Sequence, residues 1–95
     1  MHKIAWKQIA EDELAYIVDF IAEDSPVRAE HFVANIRAKT ESLREHPKIG
    51  REIRRGTHVL VVHPNYIVVY RVLAKEKVVE ILRVKHAAKQ FPTTS

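Results

Sequence analysis

The side chains best suited to act on a charged partner lie in the second half of the chain: Arg51, Arg54, Arg55, Arg71, Arg83, Lys85 and His86. A guanidinium fork or an ammonium group binds phosphate or carboxylate. Histidine can take up and release a proton near neutrality. The first 45 residues carry six Lys/Arg against nine Asp/Glu, net −3, and residues 46–95 carry ten against three, net +7. A basic half of that kind suits an anionic partner, either nucleic acid or an acidic protein segment. His2, His31, His46 and His63 show no metal-ligand spacing, cysteine is absent, and no glycine-rich phosphate loop is present. Neither a cofactor nor a metal is therefore expected.

The elements that position these groups centre on residues 66–86. Tyr66–Leu73 and Val78–Val84 are rich in Val, Ile, Leu and Tyr and read as strands. Ala74–Lys77 between them is polar and of a common hairpin-loop length. If all four are loop, Leu73 faces Val78, and the pairs run Arg71–Glu80, Val69–Leu82 and Ile67–Val84 on one face. Val72–Val79, Tyr70–Ile81, Val68–Arg83 and Tyr66–Lys85 fall on the other. The Arg71–Glu80 match, worth roughly 0.2–1 kcal/mol, supports this register and marks the face that stays open. Tyr70, Val72, Val79 and Ile81 then belong to the core.

Upstream, Lys3–Trp6 reads as a short strand, with Trp6 a core residue. Gln8–Ala22 carries Ala10, Leu14, Ile17, Val18 and Ile21 at helical spacing, with Glu11, Asp12 and Glu13 suited to the helix N-terminus. Ser25 caps a second helix and Pro26 takes its first position. That helix runs to about Arg44, with Ala29, Phe32, Val33, Ile36, Thr40 and Leu43 buried. A break of three or four residues makes the two an antiparallel hairpin. His46-Pro47 ends the second helix, Lys48–Gly56 is a basic loop, and Thr57–Val62 is a strand. After Val84 at most one helical turn follows. Phe91-Pro92 could anchor it, and Thr93–Ser95 should fray.

Ninety-five residues make one domain, 1–95. The architecture expected is α+β, in the order β-α-α-β-β-β: a helical hairpin on one face of a small, mostly antiparallel sheet. The other face would expose Ile67, Val69, Leu73, Val78, Leu82 and Val84 beside Arg71 and Glu80. An apolar patch of that size on a soluble chain normally meets a partner. No apolar run is long enough for a membrane span, no secretion signal is evident, and the cytoplasm is the default location.

The order Trp6…Ala10…Leu14…Ile17, then Pro26…Ala29…Phe32…Ile36…Leu43, then His46-Pro47…Gly50-Arg51, resembles the ParE branch of the RelE/ParE superfamily. The most specific stretch is His63-Pro64-Asn65-Tyr66…Tyr70-Arg71-Val72, followed by Ile81…Val84…His86…Phe91-Pro92. Members are toxins of bacterial toxin–antitoxin pairs. The resemblance implies this same fold and a small antitoxin whose extended segment wraps the toxin. ParE-type members inhibit DNA gyrase without catalysis, whereas RelE-type members cut messenger RNA on the ribosome. The antitoxin would meet Ile67, Val69, Arg71, Leu82 and Val84. The target would meet Arg51, Arg54, Arg55, Arg83 and His86.

RNA cutting by a 2′-hydroxyl needs a proton acceptor, cations for the phosphorane and an acid for the leaving oxygen. The candidates are His86, Arg71 and Arg83. No tyrosine follows Tyr70, whereas RelE-type cutters often carry one near the C-terminus. That departure favours a gyrase inhibitor over an endonuclease. A module that keeps the fold and only binds is the third reading. His58 stands where many relatives carry arginine.

Overall fold

The computed structural model describes residues 1–90, with side-chain detail to residue 88; the anchor expected at Phe91-Pro92 and the fraying end lie outside them. Strand β1 (Lys3–Trp6) leads into helices α1 (Gln8–Asp24) and α2 (Pro26–Glu41), the latter followed by a 3₁₀ turn at Ser42–Arg44. Four strands follow, β2 (Arg51–Arg54), β3 (Thr57–His63), β4 (Tyr66–Leu73) and β5 (Val78–His86), and then one helical turn, α3 (Ala87–Gln90). The sheet order is β1-β5-β4-β3-β2, antiparallel except where β1 lies parallel to β5.

The helical hairpin forms on the predicted spacing. Ala10, Leu14 and Ile17 of α1 and Ala29, Phe32, Ile36 and Thr40 of α2 are buried. With Leu43 they cover Val62, Val68, Tyr70, Val79, Ile81 and Val84 of the sheet. Ser25 alone joins the helices, a shorter break than expected, and its Oγ accepts the Arg28 N–H at 3.2 Å. Trp6 is half-buried, its ring under the Arg37 guanidinium at 4.5 Å.

Lys48–Gly56 contains a strand where the composition suggested only a loop. Arg51–Arg54 pairs with β3 as the outer edge of the sheet, every residue exposed. Such a strand buries no face, so it lacks the alternation that marks strands; its charges keep the edge soluble. Just before it, Gly50 comes so close to β3 and β4 that a Cβ would meet Val59 O at 2.6 Å and Tyr70 Oη at 2.8 Å. Its N–H donates to Tyr70 Oη at 2.9 Å, buried.

The terminal hairpin keeps the predicted register from Leu73↔Val78 to Tyr70↔Ile81, Arg71 opposite Glu80 included. Beyond it a β-bulge at Leu82 shifts every later pair by one: Val69 faces Arg83, Val68 faces Val84 and Ile67 faces Lys85. A shift of one residue exchanges the two faces of a strand. Val84 therefore turns into the core, 2 % exposed, and not onto the open face. Ile67 does lie opposite the core row of β4, yet it is only 3 % exposed. The expectation that both would be exposed is corrected accordingly. On the open side Val69 and Leu82 are half-buried, and Val61 is the most open apolar residue at 64 %.

Candidate functional site

The residues singled out above fall into two separate groups. Arg51, Arg54 and Arg55 sit on or beside β2, at one edge of the sheet. Arg83 and His86 lie on β5, with β4 and β3 between, roughly 14 Å away across three strand spacings. The expected target-binding set thus forms no single site. Arg71 lies within the sheet and is taken: its Nε donates to Glu80 Oε1 at 3.1 Å, and Lys7 Nζ is 4.0 Å from the other carboxylate oxygen.

The most built-up polar feature is at the far end of β5. β1 covers β5 only from Val78 to Ile81, and Lys7 N–H donates the last bond, to Ile81 O. Past that point β5 is itself an edge. Glu13, projecting from α1, closes part of it. Its Oε1 accepts the Val84 backbone N–H at 2.8 Å. Its Oε2 takes Arg83 Nη2 at 2.7 Å and Nε at 3.0 Å, with Lys85 Nζ at 3.2 Å. Burial alone would push the Glu13 carboxyl up, but bonds from Arg83, the Val84 N–H and Lys85 outweigh it and hold it below the usual glutamate range. The same bond and charge hold the Arg83 guanidinium above its ordinary value.

Beside this carboxylate runs a groove of about 760 Å³, with Ile9, Tyr16, Ile17 and Phe20 of α1 on one wall and Val84, Lys85 and His86 on the other. Tyr16 is 75 % exposed and Phe20 63 %. At its end, Tyr66 packs edge-on against Phe32 and His86. His86 Nδ1 accepts the Ala88 N–H at 3.2 Å. His58 is buried, stacked on Tyr70 at 5.2 Å, and so contributes to the interior and not to a basic surface. Among the described residues no three His, Asp or Glu side chains come together to hold a metal ion. No helix there is long and apolar enough to cross a membrane.

The family model for the ParE toxin of the type II toxin-antitoxin system parDE matches residues 4–91. The chain belongs to that family. It is 33 % identical over 89 residues to a Caulobacter vibrioides protein named Toxin RelE2, a match spanning 94 % of this chain and 99 % of that one. Two solved structures share the fold. One, from the chromosomal ParDE system of P. aeruginosa, has a TM-score of 0.75 at 23 % identity, covering 90 % of this chain and 96 % of its own. The other, from the RelBE2 toxin-antitoxin complex of Mycobacterium tuberculosis, scores 0.63 at 24 % identity and covers 90 % of both.

In this ParE-family toxin, the sequence reading missed Glu13 and the wall beside it. From the sequence Glu13 reads only as a partner of the helix dipole. Ile9, Glu13, Tyr16 and Phe20 follow at steps of four, three and four, which is one continuous stripe along α1 flanking the buried one. Two exposed aromatics on such a stripe were the available signal.

Proposed function

We propose that this ParE-family toxin acts without catalysis, by inhibiting DNA gyrase, and is neutralised by a cognate antitoxin. The observation carrying this reading is the state of the groups a cutter would need. Arg71 is bonded to Glu80 and Arg83 to Glu13. His86 has its Nδ1 engaged by the Ala88 N–H, so that nitrogen is not free to take up a proton. A base would have to break that bond before accepting a 2′-hydroxyl proton. Two paired cations and one imidazole with a ring nitrogen already engaged make a poor phosphorane site. They suit a binding surface.

The two similar structures, one of a ParDE system and one of a RelBE2 toxin-antitoxin complex, support an antitoxin partner. Its docking area in this reading includes Val69, Arg71 and Leu82 on the open sheet side, with the α1–β5 groove added. Arg51, Arg54 and Arg55 on the β2 edge remain for the gyrase target. The alternative, an mRNA endonuclease, draws on the name of the Toxin RelE2 relative. Expression without antitoxin separates them. Gyrase inhibition gives lost plasmid supercoiling and DNA damage signalling with messages intact. Cleavage within codons, with supercoiling untouched, would assign the chain to the other activity. Neither effect from folded protein would leave a binding module.

A further inference from the structure

The free edge of β5 shows what kind of group it accepts, because one is already in place. Beyond Ile81 the strand continues for five residues without β1 beside it. With the bulge at Leu82, the next backbone groups directed to that side are those of Val84, and its N–H is bonded to the Glu13 carboxylate. Arg83 and Lys85 close on that carboxylate as well. A backbone donor flanked by two cations is the environment an incoming acidic strand requires. The strand would bring a carbonyl for the N–H and carboxylates for the cations. Alongside, the exposed Tyr16 and Phe20 offer apolar surface for its alternate side chains.

We infer that Glu13 is an internal stand-in for the partner. An extended acidic–apolar segment of the antitoxin adds to β5 along Leu82–His86, displacing the Glu13 side chain from Val84, Arg83 and Lys85. This rests on the antitoxin reading above. Displacement needs only a side-chain rotation of Glu13, since α1 is held independently by Leu14 and Ile17 in the core. The toxin thereby competes with its own antitoxin at one anchor, which tunes affinity downward and keeps the unoccupied edge from pairing with other strands.

The test uses the full-length chain and the antitoxin encoded beside it, with affinity measured by calorimetry and Val84 amide exchange followed by NMR. Glu13→Ala removes the competitor; binding should tighten on the order of tenfold, the size of one charge-assisted bond. Glu13→Gln, which can still accept the N–H, should tighten it less. Glu11→Gln, whose carboxylate bonds Arg37 elsewhere, is the control and should change nothing. In the free Glu13→Ala chain the Val84 amide should exchange quickly, and on antitoxin binding it should become protected. Weakened or unchanged binding by folded Glu13→Ala and Glu13→Gln would overturn the inference, as would an unprotected Val84 amide in the complex. Wild-type chain that dimerises in solution with Val84 protected would assign the edge to a second copy and also overturn it. Absence of any wild-type complex would instead count against the antitoxin reading itself.

Discussion

Two glutamates hold arginines of the same hairpin, and they differ in almost everything else. Glu80 meets Arg71 directly across the ladder, nine positions away, with Lys7 at the limit of reach. Glu13 meets Arg83 from another element, 70 positions away, and adds a backbone N–H and a second cation. Both carboxylates are mostly covered. The first pair follows from register. The second depends on where α1 crosses the sheet and on the bulge that turns Val84 inward. A cross-strand pair supports a register already fixed by the turn and the apolar rows. A carboxylate that satisfies a backbone donor binds one layer to another, and its loss leaves that donor without a partner.

The largest effect should come from exchanging charges at the long-range site. Glu13→Arg with Arg83→Glu should destabilise by about 2–4 kcal/mol, because Lys85 and the Val84 N–H would face a cation; urea unfolding of the double variant measures it. Recovery to near wild type would make the two glutamates equivalent and end the contrast.

Glu13→Gln should have the next largest effect, about 1–2 kcal/mol at neutral pH, and its pH dependence carries the sign. The folded-state Glu13 carboxyl is depressed, so its contribution is fully present above the unfolded value near 4.3 and is lost as pH falls through the lower folded value. The stability difference between wild type and Glu13→Gln should be flat from pH 8 down to about 5 and shrink below pH 4. A difference that persists undiminished through the acid limb would show that charge is not what Glu13 supplies.

The smallest effects belong to the local pair. Glu80→Ala should cost about 0.5–1 kcal/mol, and Arg71→Glu combined with Glu80→Arg should recover much of what either single charge change loses. A double-mutant cycle giving Arg71–Glu80 a larger coupling than Arg83–Glu13 would reverse the ranking.

What could be read from the sequence divides along the same line. Ser25-Pro26, the stripes of α1 and α2, the four-residue loop before Val78 and the Arg71–Glu80 pair are all specified within a few residues or one turn, and each lies where the pattern put it. The bulge at Leu82 is not written locally: Val78–Val84 alternates as well without it, and the shifted register is the one that places Val84 in the core. β2 escaped because Arg-Glu-Ile-Arg has no buried face to advertise. The Glu13 site escaped because no local rule joins residue 13 to residue 83. Assigning His58 to the interior required knowing that Tyr70 lies beside it.

The parallel pairing of Lys3–Trp6 with Val78–Ile81 ties together strands 75 positions apart. On a nascent chain β1 has no neighbour until the last strand leaves the ribosome, and α1 and α2 must wait with Leu14, Ile17 and Phe32 lacking their sheet. Contacts so distant in sequence slow folding, and exposed apolar helices invite chaperones during the delay. Of the five strands β5 emerges last, so a partner that reads its edge can only engage a chain whose synthesis has passed His86.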